Sequence, residues 1–152
     1  MTKRVTENFT ITIDRSPDEV FDYLTDVAKH AEWSPKPFRV EGSPGKVKAG
    51  DTFASVGTIP GDKNHRNEVE VTDCVRPRRL VLEADEKDER FINIFELEAE
   101  GTGTRLTRTM DAPKPGFPLS AVFPLLMATF IRPDVNKGLR NLKARLESDA
   151  PH

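Results

Sequence analysis

The sequence has little of what several common protein classes need. Its 152 residues include one cysteine and three histidines, so we expect no disulfide framework, no metal site and no cofactor. The 23 basic residues are balanced by 25 acidic ones, a formal net charge of −2, whereas a nucleic-acid surface needs a clustered basic excess. The amino terminus lacks the continuous apolar run of a secretory signal, which predicts a cytoplasmic protein.

One long stretch lacks charge altogether. Residues 115–131 read PGFPLSAVFPLLMATFI, in a chain where 32% of residues are charged. A membrane-spanning helix needs roughly 20 apolar residues, and this run is shorter and holds Pro118 and Pro124, so we do not expect it to cross a bilayer. Because the run is apolar nearly all round, it predicts that other apolar groups meet it on more than one side.

The chain begins with a strand followed by a helix. Phe9, Ile11 and Ile13 alternate with polar residues, which is typical of a strand with one face on a core. In the following segment SPDEVFDYLTDVAKH, Ser16 is a candidate helix cap and Pro17 occupies the first helical position. Glu19 completes a capping box. The segment AEWSPKP predicts a short second helical turn that ends at its prolines.

The rest of the chain reads as a run of strands and one long helix. Turn signals divide residues 38–111 into six strands, near 38–41, 51–59, 65–74, 79–84, 90–100 and 103–111. No helix separates them, which predicts antiparallel pairing. Val135, Leu139, Leu142 and Leu146 then follow helical spacing, so a long amphipathic helix should close the chain, with kinks near Pro133 and Pro124. No linker divides residues 1–152, which predicts a single domain.

Two segments carry a resemblance to a known superfamily. The opening ITIDRSPDEVFDYLTDVAKHAEW and the segment GTRLTRTMDA before the last helix resemble the START-like superfamily, also called SRPBCC, which includes polyketide cyclases/dehydrases and lipid transport proteins. The resemblance implies an α+β helix-grip fold. A curved antiparallel sheet of about seven strands would wrap around the long C-terminal helix, and two short helices would follow the first strand.

The resemblance also implies a ligand cavity between the sheet and the last helix. The uncharged stretch would then form one wall of that cavity, as an alternative to ordinary core. The apolar residues from which ligand contacts are expected are Phe117, Phe123, Leu126, Met127, Phe130 and Ile131, together with Phe91, Phe95 and Trp33. For Trp33, packing of the first helices against the sheet is the favoured role.

Strand alternation places several polar side chains on the same face as core residues. Asn67 and His65 share a face with Val69, Asn93 falls among the apolar residues of its strand, and Arg108 lies between Leu106 and Met110. A buried unpaired charge is costly. Arg108 could therefore read an oxygenated end of an apolar ligand with Asn67, Asn93 and His65, or it could pair internally with a carboxylate, or a bulge could turn it outward.

Two classes of function fit these features. The first is binding of a small hydrophobic molecule, such as a lipid, a polyketide or an aromatic or isoprenoid metabolite, by a carrier, sequestering protein or sensor. The second is a polyketide cyclase or dehydratase, for which His65 and Arg108 are the only candidate catalytic residues.

Other charged residues favour plain solvation. Asp26, His30 and Glu32 should lie on an exposed helix end. The basic residues of the last helix, Arg132, Lys137, Arg140, Lys143 and Arg145, indicate a solvated face more than a membrane surface. We expect a monomer or homodimer with no nucleic-acid partner and no stable membrane insertion.

Overall fold

The structure is a computed structural model that describes residues 3–42, 45–59, 61–86 and 89–148. Parts of three predicted turns, at residues 43–44, 60 and 87–88, lie outside the described residues, as does the third histidine, at 152. The strands are β1 (Arg4–Ile13), β2 (Phe38–Glu41), β3 (Thr52–Ile59), β4 (Asp62–Val75), β5 (Arg79–Glu86), β6 (Glu89–Glu100) and β7 (Gly103–Pro113). The helices are α1 (Pro17–Thr25), a 3₁₀ helix (Val27–Glu32), α2 (Leu119–Leu126), a π-helical segment (Met127–Ile131) and α3 (Arg132–Glu147).

Helix α1 begins where the sequence predicts. The backbone N–H of Glu19 donates to the Ser16 side chain at 3.2 Å, and Pro17 occupies the first turn. The predicted capping box is only half formed, because the Glu19 carboxylate contacts the Ser16 hydroxyl and not its backbone N–H. The cap directs the buried residues Val20, Phe21 and Leu24 against the sheet.

The seven strands form one antiparallel, curved sheet in the order β1-β7-β6-β5-β4-β3-β2. Successive strands from β2 to β7 are neighbours, and β1 joins the far edge by pairing with β7, as in Phe9 opposite Arg108. The predicted strands, antiparallel pairing and α+β helix-grip architecture are confirmed. Register is regular between β6 and β7, where Asn93 lies opposite Met110 and Phe95 opposite Arg108.

Helix α3 packs its predicted apolar stripe onto the inner face of the sheet. Val135, Leu139, Leu142 and Leu146 are buried, together with Phe95, Leu97 and Leu106 from the sheet. Their burial provides the apolar free energy that holds the helix in place.

The uncharged stretch differs from the rest of the fold because none of its residues is buried. Pro124 lies inside α2. The π-helical segment connects α2 to α3, and the backbone N–H of Arg132 donates to the Met127 carbonyl. A wide turn of this kind accommodates the missing donor at Pro133. Within the described residues, the helices are too short or too polar to cross a bilayer.

Candidate functional site

The interior between sheet and helices contains two adjoining cavities that share Arg108. The first, about 220 Å³, is lined by His30, Trp33, Ser34, Pro35, Phe38, Arg108, Asp134 and Val135. The second, about 130 Å³, lies deeper against the sheet and is lined by His30, Phe38, Phe53, Ser55, Val69, Leu82, Ala84, Asn93, Phe95 and Arg108. Together they form a space lined mainly by apolar side chains, whose wall also holds the guanidinium of Arg108 and the carboxylate of Asp134, which is paired with Lys36.

Arg108 points inward, and its polar partner is an amide. Its Nε and Nη2 both donate to the Asn93 Oδ1, at 3.1 and 3.0 Å. Its guanidinium carbon lies 5.7 Å from the ring centre of Trp33 and 5.4 Å from that of Phe95. Nη1 has no hydrogen bond, and no carboxylate forms an ion pair with Arg108 in the described part of the chain.

Burial lowers the pKa of Arg108 to about 10, so the side chain still carries its charge at neutral pH. The charge is stabilised by ring faces and one amide, and part of its hydrogen-bonding capacity is unused. Of the three expectations for Arg108, internal pairing with a carboxylate and an outward turn are therefore both wrong. Inward placement is correct, and ligand recognition stays a prediction.

His30 is the principal correction to the sequence analysis. It is buried, not solvated, because α1 ends at Thr25 and the tighter 3₁₀ helix turns the ring toward the sheet. Nε2 lies 2.8 Å from the Leu24 carbonyl, and the ring lies 5.0 Å from that of Trp33. Since a carbonyl only accepts, Nε2 carries the proton, and Nδ1 is the acceptor of the neutral ring.

The environment of His30 keeps it neutral. Burial lowers the pKa of His30 to about 4, against the opposing effect of the Leu24 carbonyl, and the charge of Arg108 lowers it further. The cavity wall thus presents a cationic donor and a neutral imidazole acceptor together.

Trp33 contributes an unsatisfied donor to the same region. The side chain is 4% exposed and lines the first cavity, and its indole Nε1 is buried without a hydrogen-bond partner among the described residues. A buried donor without a partner costs about 1–3 kcal/mol. Tyr23, by contrast, has a partner, because its hydroxyl donates a hydrogen bond to Glu32. Burial is the larger cause and the Glu32 carboxylate the smaller cause that together raise the pKa of Tyr23 to about 12.

A third cavity lies beneath α2 and is almost wholly apolar. Its volume is about 300 Å³, and its lining residues are Val5, Glu7, Phe9, Phe91, Met110, Ala112, Pro113, Pro115, Leu119, Phe123, Met127 and Ile131. Met110 and Arg108 lie on the same face of β7, two residues or about 7 Å apart. The apolar cavity is therefore a neighbour of the one that contains the cation.

The structure brings together many of the predicted ligand contacts but not all. Phe91, Phe123, Met127 and Ile131 line the apolar cavity, and Trp33, Asn93, Phe95 and Arg108 line the two cavities around the cation. Asn67 is half-buried opposite Ser55, which itself lines the second cavity. Leu126 is half-buried and lines none of the three.

Two residues expected in the cavity wall point to solvent, so that part of the expectation is wrong. Phe117 is 87% exposed and Phe130 63% exposed. Phe117 precedes the helix, and the inward face of the helical segment follows Leu119, Phe123, Met127 and Ile131, which Phe130 does not share. A role for either residue in ligand contact stays untested.

His65 does not join the cation. It contacts Asp62, with Nδ1 3.4 Å from a carboxylate oxygen, and it lines neither cavity that contains Arg108. His30 occupies the position that the sequence analysis gave to His65.

An ion pair between Glu7 and Arg132 at the site was not predicted from the sequence. Glu7 lines the apolar cavity and pairs with Arg132, whose guanidinium lies 4.5 Å from the Phe9 ring centre. The alternation of Phe9 and Ile11 places Glu7 on the inner face, so this signal was present in the sequence. Arg132 is thus half-buried and not part of a fully solvated helix face.

The outer face of the sheet offers a larger but less distinctive depression. Its volume is about 610 Å³. Arg79 within it is already paired with Asp73 and Glu96. Among the described residues no group of histidine, cysteine, aspartate and glutamate is placed to hold a metal ion.

Comparison with known proteins supports the architecture seen here. Residues 4–147 match the family model described as polyketide cyclase / dehydrase and lipid transport. The chain belongs to this family. The matched range includes every strand and helix described above.

Solved structures add relatives in fold. A protein from Chromobacterium violaceum is 18% identical, with 95% of this chain and 99% of that one covered and a TM-score of 0.71. A protein from Rhodobacter sphaeroides is 17% identical, with 97% and 100% covered and a TM-score of 0.70. One from Rhizobium loti is 22% identical, with 95% and 98% covered and a TM-score of 0.65. No curated protein sequence matches the chain.

Proposed function

We propose that this protein binds a small amphiphile, an apolar molecule with one oxygenated end, and acts as a carrier, sequestering protein or sensor. The family suggests a hydrophobic ligand in general. The observation that carries the finer proposal is Arg108, a cation in the wall of the two adjoining cavities that no carboxylate in the described chain neutralises.

The arrangement favours an anionic end, such as a carboxylate or phenolate. Asn93 holds the guanidinium through Nε and Nη2, so Nη1 is left to donate to a ligand oxygen. An anion would also offset the free-energy cost of burying the charge of Arg108, which the rings of Trp33 and Phe95 and the amide of Asn93 stabilise only in part. The apolar body of the ligand would extend along β7, past Met110, into the cavity beneath α2.

The test compares two ligands that differ only at the end group. Decanoate and decan-1-ol have the same chain length, and only decanoate is anionic near pH 7. By titration calorimetry we expect wild-type protein to prefer decanoate by about tenfold or more, since charge-assisted hydrogen bonds contribute about 1.5–3 kcal/mol. Arg108→Met should remove this preference and keep binding of the alcohol.

Arg108→Met is chosen because an unbranched apolar side chain can pack between Trp33 and Phe95. Replacing a buried charge in this way is often neutral for stability. Equal affinity of the two ligands for wild-type protein, or an unchanged preference in a folded Arg108→Met variant, would refute recognition by Arg108.

A cyclase or dehydratase is the second candidate, and the adjacency of His30 and Arg108 favours it. A neutral imidazole acceptor could take a proton from a carbon between two carbonyls while Arg108 stabilises the enolate. A pKa of about 4 makes His30 a weak base near pH 7. Binding without chemistry is therefore the better-supported function.

The two functions separate by hydrogen exchange at such a carbon. With ethyl acetoacetate in D₂O, an enzyme should accelerate deuterium uptake between the carbonyls above the buffer rate, and His30→Gln should abolish the acceleration. No acceleration by wild-type protein would count against proton abstraction.

For location and assembly, the composition and the amino terminus of the sequence support a proposal of a cytoplasmic monomer or homodimer that binds no nucleic acid.

A further inference from the structure

The outer side of α2 and the π-helical segment is an apolar surface without a partner in the described structure. Its large exposed side chains are Phe117 at 87%, Val122 at 49%, Leu125 at 67% and Phe130 at 63%, and Leu119, which also lines the cavity beneath α2, is 47% exposed. Elsewhere, the described residues expose only two comparable side chains, Ile59 and Val75. Scattered apolar residues are normal on a surface, but five exposed ones within residues 117–130 indicate an interaction site.

The surface is also positive at one edge. Lys114 and Lys3 are exposed and adjacent, since the Lys114 N–H donates to the Lys3 carbonyl, and neither forms an ion pair with a described residue. Residues 112–133 contain no aspartate or glutamate. The nearest acidic residues in sequence are neutralised, because Asp111 pairs with Arg4 and Asp134 with Lys36.

We propose that this surface, Phe117 to Phe130 with Lys3 and Lys114, docks reversibly on an anionic phospholipid bilayer. The uncharged stretch offers only Ser120 and Thr129 as polar side chains, whereas protein interfaces contain about one hydrogen bond per 100–200 Å². The hydrocarbon of a bilayer forms no hydrogen bonds, so an apolar surface can enter it without polar side chains. The negative charges of anionic headgroups attract the two lysines.

A second copy of the chain fits this surface less well. In a twofold dimer the same patch faces itself, so Lys3 and Lys114 of both copies would share one interface without acidic partners. Stable insertion is also unexpected, because the segment is short and interrupted by Pro124. The contact is therefore peripheral.

The location of the surface connects it with the interior. The opposite side of the same helical segment, through Phe123, Met127 and Ile131, lines the apolar cavity. One helix thus lies between the cavity and the proposed bilayer. Docking itself does not depend on what the cavity binds, so the two proposals fail separately.

Vesicle co-sedimentation of the whole chain tests the docking. The vesicles are phosphatidylcholine alone or with about 30% phosphatidylglycerol, and we expect stronger partitioning to the anionic ones, weakened by salt. Phe117→Ser with Leu125→Ser should lower the partition coefficient at least about tenfold. Lys114→Glu should lower it roughly tenfold on anionic vesicles only.

The control exchanges two exposed apolar residues elsewhere. Ile59→Ser with Val75→Ser, at 43% and 38% exposure, should leave partitioning unchanged. If the first double variant does not give the wild-type circular dichroism spectrum, Phe117→Ser alone replaces it. Absence of wild-type sedimentation with anionic vesicles, or full binding by a folded Phe117 variant, overturns the proposal. A wild-type dimer without vesicles that the same variant dissociates would assign the surface to a second copy and overturn it too.

Discussion

Arg108 and His30 are neighbours that differ in charge near neutral pH. Arg108 keeps its charge in the interior, held by Asn93 and two aromatic faces. His30 loses its charge because burial and the nearby guanidinium both oppose protonation. A pocket that keeps one cation opposes a second, which is why the imidazole of His30 stays neutral beside Arg108.

His30 predicts how stability depends on pH. Its folded pKa of about 4 lies below the ordinary 6.5, so the unfolded chain takes up the proton first as the pH falls. Stability contributed by neutral His30 is present above about pH 6.5 and is lost progressively toward pH 4. Between about pH 7.5 and pH 5 we expect a loss of about 2 kcal/mol in the free energy of unfolding.

Urea unfolding of wild-type protein and His30→Gln at those two pH values measures this loss. The glutamine amide can still donate to the Leu24 carbonyl but does not titrate. The other two histidines are common to both proteins and cancel in the comparison. Equal pH dependence in the two proteins would show that His30 is not held neutral.

At the scale of elements, the strands and the cap of α1 could be predicted well from the sequence. The orientation of side chains on the 3₁₀ helix and the π-helical segment could not. Alternation in β7 was enough to place Arg108 inward, because a strand has a fixed two-residue period. His30 was misplaced because a 3₁₀ helix has three residues per turn and begins only after α1 ends. Phe130 was misplaced for a related reason, since the π-helical segment shifts the inward face.

The junction of β1 and β7 depends on a glycine. A Cβ atom on Gly103 would lie 2.4 Å from the Ile13 carbonyl oxygen, a distance that the backbone must move to relieve. Gly103→Ala should therefore reduce the free energy of unfolding by about 2 kcal/mol or more.

Gly57 in β3 is the matched control for Gly103. A Cβ there would meet the Phe38 ring at 3.5 Å, an ordinary contact, so Gly57→Ala should be neutral or stabilise by up to about 1 kcal/mol. Thermal unfolding followed by circular dichroism compares the two variants. Similar melting temperatures would contradict the close approach of β1 to Gly103.

At the scale of the whole molecule, ligand binding and stability are linked. Decanoate at about ten times its dissociation constant should stabilise the folded state by about 1.4 kcal/mol. For a domain of this size, that corresponds to a rise in melting temperature of about 3–6 °C. Differential scanning fluorimetry measures the rise, which should be about threefold smaller in Arg108→Met at the same decanoate concentration, because the variant binds decanoate about tenfold more weakly. A shift of equal size in both proteins would place decanoate away from the cation.

The overall architecture could be predicted because many weak signals agreed over the whole chain. Alternation, the Ser16 cap and the helical spacing of Leu139, Leu142 and Leu146 each specify an element, and the antiparallel order follows from their sequence. The cavities could not be predicted in this way, because their volumes depend on how far the sheet and α3 stand apart, which no local pattern encodes.

The edge pairing of β1 with β7 has a consequence for the order of folding. Five of the six strand pairings join neighbours in sequence, but this one brings together residues such as Arg4 and Asp111, 107 positions apart. Pairing of residues far apart in sequence is intrinsically slow, because the chain loses the entropy of a long loop before the stabilising contacts form. On the ribosome, β1 must wait until β7 has been made, and α3 is synthesised later still. The cavities between the sheet and the helices can therefore be completed only after the residues up to the end of α3 have left the exit tunnel.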